Sequence, residues 1–142
     1  MSISFLKFDS FVDKVVQGDF AAALLPPYAD VWKIYLTDVV PDFTTCVVKA
    51  DLPEIALGNG YAGPVDVQKT VSKVAGIIKV AGVDVTWLAS GGPIGPFIAV
   101  VLFDATLPGE PLVGYWPVIV PITLQDGEDL KVDFAATILM VG

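Results

Sequence analysis

The chain has no histidine and one cysteine, Cys46. The commonest general base and metal ligand is therefore missing, and the lone thiol has no imidazole to activate it. Nucleophilic catalysis by the usual residue pairs is disfavoured, and Cys46 has no partner for an intrachain disulfide. It lies in a β-like run, residues 44–48, where a buried free thiol is the ordinary expectation. Charge is also scarce, at 17% of residues, against about 25% in a typical soluble domain. Eight basic residues face sixteen acidic ones, for a net charge of −8. With no basic cluster, direct binding of nucleic acid is disfavoured electrostatically. No apolar run approaches the roughly eighteen residues that cross a bilayer. No basic stretch precedes a long apolar one, so neither a signal peptide nor a membrane anchor is expected.

What the chain has in excess is apolar surface. Hydrophobic residues make up 54% of its 142 positions, enough for one domain with a proper core and more than such a core hides. Since a membrane is not indicated, the surplus points to contact with other protein subunits. The acidity keeps a hydrophobic protein soluble.

The organising stretch is residues 97–103, Phe-Ile-Ala-Val-Val-Leu-Phe, an apolar run rich in β-branched and aromatic types with no polar face. Glycines and prolines punctuate it on both sides, which makes it too short for a helix and suits a strand covered on both faces. A turn at 107–111 leads to a second apolar segment at 112–116, so the two are expected to form the central antiparallel hairpin.

Around this hairpin the chain reads as β almost throughout. Expected strands are 31–36, a short one near 43–48, then 65–72, 77–80 and 83–88, the last two joined by a tight turn at Ala81-Gly82. Residues 118–124 follow Pro117 and contain Pro121, which suits an edge or bent strand. Further strands fall at 130–134 and 137–141, and Gly58-Asn59-Gly60 is a turn. Ahead of them, Phe5, Phe8, Val12, Val15 and Val16 recur at helical spacing, which predicts an amphipathic helix over 5–17 stopped by Gly18. Pro26 and Pro27 make residues 20–29 an extended connector. The expected fold is mainly β, an antiparallel β-sandwich or barrel-like domain over residues 31–142, with one short N-terminal helix and an extended arm in residues 1–30.

Few residues resemble a chemical site. Asp126, Glu128, Asp129 and Asp133 could offer oxygen ligands to calcium but lack the spacing of an EF-hand loop, and a solvated turn is the simpler reading. Asp51 and Glu54 could be a carboxylate pair for glycoside hydrolysis, though acids three residues apart are commoner as surface charges. The glycine-rich segment 58–63 lacks the Lys-Ser/Thr ending of a phosphate loop. Trp32, Trp87, Trp116 and Tyr28, Tyr35, Tyr61, Tyr115 could line a sugar-binding face, but their place in or beside strands favours core or interface. No catalytic, cofactor-binding or metal-binding residue is assigned, and the chain is expected not to be an enzyme.

From residue 31 onward the order of segments resembles a family of small structural proteins of tailed bacteriophages. The features that carry it are Val31-Trp-Lys-Ile-Tyr-Leu-Thr37, Gly60-Tyr61-Ala62, Val85-Thr-Trp87, Ala99-Val-Val-Leu-Phe-Asp104, Pro111-Leu-Val-Gly-Tyr115, Asp126-Gly127 and Val132-Asp-Phe134. Trp116-Pro117 and Pro121 depart from the pattern. The resemblance implies a virion component and no catalytic residues. The function expected is that of a capsid decoration, or cement, protein on the capsid surface, binding the major capsid protein as a homo-oligomer, with a trimer favoured. A tail or head-fibre component and a carbohydrate-binding β-sandwich are the alternatives. Candidate interface residues are Phe5, Phe8, Val12, Val15, Pro26, Pro27 and Tyr28, with packing of the helix on its own sandwich an equal possibility.

Overall fold

A computed structural model describes residues 5–24, 29–134 and 138–141 of the protein. In chain order its elements are β1 (Leu6–Lys7), α1 (Asp9–Gln17), α2 (Ala21–Leu24), β2 (Trp32–Thr37), a 3-10 turn (Lys49–Asp51), β3 (Val65–Asp66), β4 (Thr70–Val74), β5 (Ile77–Ala81), β6 (Val85–Leu88), β7 (Ile94–Asp104), β8 (Leu112–Leu124), β9 (Asp129–Val132) and β10 (Leu139–Val141). The described strands form a five-stranded sheet ordered β1-β8-β7-β2-β3, a three-stranded sheet β10-β5-β4 and a pair β6-β9. All pairings are antiparallel. The mainly β, antiparallel class expected from the sequence is the one observed.

The β7–β8 hairpin is the centre of the large sheet. Val101 lies opposite Tyr115 on β8 and opposite Tyr35 on β2, so β7 is paired along both edges. Because successive side chains alternate between faces, one face carries Trp32, Ile34, Leu36, Val100, Leu102 and Trp116. The other carries Tyr35, Ala99, Val101, Phe103, Leu112 and Tyr115. Both faces are buried. The first packs on Phe11, Phe20, Phe134 and residues of the small sheets such as Val80 and Trp87, and the second on Phe8 and Leu52. An apolar run with no polar face is stable only in such a double layer, where each fully buried large aliphatic contributes about 1.5–3 kcal/mol.

The N-terminal helix is shorter than its periodicity predicts. Residues 6 and 7 pair with Tyr115 and Gly114 of β8, and the Phe8 N–H bonds to the Val113 carbonyl at 3.1 Å. These sheet bonds outweigh helix propensity, so α1 begins at Asp9, where a carboxylate suits the positive end of the helix. Once Phe8 is extended, the buried face is carried by Phe11, while Val12 and Val16 face solvent. Gly18 stops the helix as expected, at φ 85° with its N–H turned back to the Val15 carbonyl. The connector 20–29 contains a helical turn, α2, because Phe20, Ala23 and Leu24 are buried in the main core. The N-terminal segment thus packs on both faces of the sheet, Phe8 on one and Phe11, Phe20, Ala23 and Leu24 on the other.

Other boundaries also moved. Residues 43–48 form a turn and an isolated bridge, Val48 to Pro111, and Cys46 is only partly buried. The strand expected over 65–72 breaks at Gln68, at φ 51°, where the Asp66 carboxylate accepts the Gln68 N–H at 2.7 Å in an Asx turn. The tight hairpin joins β4 to β5 through Ala75-Gly76, both at positive φ, as a primed turn requires. At Ala81-Gly82 there is none, since β6 pairs with β9. The strands at 130–134 and 137–141 begin or end within a few residues of expectation, and Thr137 lies outside the described residues.

Candidate interface and a buried carboxyl pair

The structure separates the candidate interface residues. Phe8 is fully buried and stacks at a tilt on Tyr115 with ring centroids 5.0 Å apart. Phe5 sits on Trp116 at 4.7 Å, and Val15 packs against the main core. Any side chain at Gly114 would collide with the Phe5 ring and the Leu6 carbonyl, so glycine there lets β1 lie flat on β8. These three residues serve the subunit's own core, which leaves Val12 as the described candidate open to a partner. Pro26, Pro27 and Tyr28 lie outside the described residues.

More apolar surface is exposed elsewhere, where periodicity gave no signal. β8 runs unbroken through Pro117 and Pro121, but its pairing does not. Ala99 lies opposite Pro117 and Phe97 opposite Ile122, so Ile98 alone faces residues 118–121. The extra residues bulge away from the ladder, as proline-bearing and edge segments do. At this bulge Ile119 is 97% exposed and Val120 is 66% exposed. A second apolar region comprises Val39, Val40 and Phe43 of the long connection from β2 to β3. The Phe43 carbonyl accepts the Asp9 N–H at 2.9 Å and fixes this loop to the start of α1, whose Val16 is 84% exposed.

The side chains considered for chemistry have structural work. All three tryptophans and Tyr35, Tyr61 and Tyr115 are buried, so the exposed aromatic row of a sugar-binding module is missing among the described residues. The Tyr35 hydroxyl donates to the Leu52 carbonyl at 2.7 Å. That of Tyr61 donates to Glu54 Oε2 at 2.8 Å and accepts the Leu36 N–H at 3.0 Å. Burial pushes both phenols well above the usual range, so they stay protonated. Asp51 accepts the N–H groups of Val47 and Val48 at 2.9 and 3.1 Å, which hold its carboxyl below the usual range. The two acids considered for hydrolysis thus secure separate parts of one connection. Asp126 accepts the Gly91 N–H at 3.1 Å and Glu128 that of Gln125 at 2.7 Å. No group of three or more potential metal ligands occurs among the described residues. The 58–63 segment is a turn closed by reciprocal Gly58 and Tyr61 backbone bonds.

One cluster escaped the sequence reading. Asp104 ends the apolar run of β7 and is fully buried, and Asp30 just before β2 is almost so. Asp104 Oδ2 accepts the Trp32 indole N–H at 3.2 Å, and its Oδ1 accepts the N–H groups of Thr106 and Leu107 at 2.9 and 3.0 Å. Asp30 Oδ2 is buried without a hydrogen-bond partner. Burial, then the adjoining Asp30 carboxyl, push Asp104 up to about 6. The available signal was a carboxylate terminating an otherwise unbroken apolar strand.

Compared with family models, curated proteins and solved structures, the chain matches none of them. The protein is therefore described by its class, a small acidic antiparallel β protein with a two-faced central sheet.

Proposed function

We propose that the protein is a non-enzymatic structural component of a bacteriophage virion, a decoration protein that binds as an oligomer across neighbouring subunits of the major capsid protein. The observation that carries this reading is the exposed apolar surface, above all Ile119 and Val120 on a bulge that its own sheet leaves unpaired. Apolar residues held out on a hairpin contribute little to the fold and would each contribute on the order of 1–3 kcal/mol if buried against a partner. Repeated by symmetry over a shell, modest contacts of this kind stabilise it collectively. The internal hydrogen bonds that engage Tyr35, Tyr61, Asp51, Glu54, Asp126 and Glu128 favour this reading over an enzyme. The segment order that resembles phage structural proteins supplies the particular class.

The test is immunogold labelling, with antibody to the chain, of particles purified from cells that produce it. Gold over the head surface is expected. Gold on tails or fibres would favour the tail or head-fibre alternative, and particles free of label would overturn the proposal.

A further inference from the structure

We propose that Asp30 and Asp104 form one proton-binding site that makes the packing of the N-terminal helical segment on the large sheet dependent on pH. The two carboxyls lie side by side at the start of β2 and the end of β7, both shielded from water. Asp104 already accepts three N–H bonds, whereas Asp30 has an oxygen with no donor. A single proton placed between them supplies the missing bond and removes one of two adjacent buried charges. Like charges in such a site cannot both ionise without cost, and the proton belongs to the pair.

The site reaches the N-terminal segment through Trp32. Its indole is held by Asp104 Oδ2, and its ring is the surface on which Phe11 and Phe20 stand edge-on, at 6.1 and 6.4 Å. The surrounding charges are few. Lys69, whose ammonium feels Asp30, Asp104 and Asp66, is the cation set among three carboxyls. Lys33 is paired with Phe103, on the opposite face of the sheet. From α1, Lys14 and the Asp19 it pairs with at 3.9 Å line a cleft with Leu107, beside the turn that Asp104 caps. The Thr106 hydroxyl accepts the Val31 N–H at 2.9 Å and ties the two ends of the site together.

The sign follows from linkage. A carboxyl whose folded pKa is raised to about 6 binds protons in the folded state that the unfolded chain does not hold, so this site adds stability as pH falls from above 6 toward 4.

The experiment compares thermal unfolding at about pH 8 and about pH 5 for the wild type, Asp30→Asn, and Asp129→Asn as an exposed single-charge control. Wild type and Asp129→Asn should melt several degrees higher at the lower pH. Asp30→Asn, a permanent mimic of the protonated pair, should already melt high at pH 8 and lose most of the difference. An unchanged slope in Asp30→Asn overturns the proposal. If that variant does not fold, carboxyl ¹³C titration of the wild type decides. An Asp104 resonance titrating near 6 with the Trp32 indole N–H moving at the same midpoint supports it, and titration below about 5 or a static indole resonance overturns it.

Discussion

The β7–β8 hairpin has two halves built from similar residues that meet different fates. In the half from Ala99 to Phe103, every residue faces β8 on one edge and β2 on the other, and none of the five side chains is more than 1% exposed. In the half beyond Pro117, β2 has ended, β1 does not reach, and four residues of β8 crowd opposite Ile98. There Ile119 and Val120 stand in solvent although they are as apolar as Val100 and Val101. Hydrophobicity alone does not decide burial. What decides it is whether neighbouring strands and a covering layer are present, and where they stop, the same residue types become surface available to a partner.

Substitutions in the two halves sharpen this contrast. The largest effect is expected from Leu102→Ala, which empties part of the doubly covered half and should cost about 2–5 kcal/mol in chemical denaturation. Gly114→Val forces the Phe5 ring and β1 off β8 and should cost about 1–3 kcal/mol by overpacking, with faster amide exchange at Leu6 and Phe8. Tyr35→Phe removes the donor to the Leu52 carbonyl and should lower stability by about 1–2 kcal/mol. Smallest of all, the double variant Ile119→Ser with Val120→Ser should change the unfolding free energy by less than about 0.5 kcal/mol. If that double variant unfolds the subunit as readily as Leu102→Ala, the two halves are not distinct and the comparison fails.

Legibility from sequence divides along the same line. The central hairpin was visible because an unbroken apolar run bounded by glycine and proline leaves one arrangement, a strand covered on both faces. β2 was equally plain, since Trp32, Ile34 and Leu36 alternate with Lys33 and Tyr35. The helix start is ambiguous in sequence because Phe5 and Phe8 fit both a helical stripe and an extended segment, and the pairing with β8 that Gly114 permits selects the second. Ala81-Gly82 reads as a hairpin turn as readily as Ala75-Gly76, because both are short Ala-Gly pairs between valine-rich segments. Partner choice among strands is a non-local property that distinguishes them. The prolines at 117 and 121 announced irregular pairing but not the exposure of Ile119 and Val120, which depends on where β1 and β2 end. The Asp30–Asp104 pair was invisible because 74 positions separate its members, and nothing local to either residue names the other.

The most direct test of the account is the solution mass of the purified chain by light scattering across a range of concentrations, beside that of the Ile119→Ser, Val120→Ser variant. The account predicts a closed oligomer, a trimer being favoured, for the wild type and a folded monomer for the variant. A wild type that stays monomeric at every concentration, or a variant that associates just as well, would contradict it.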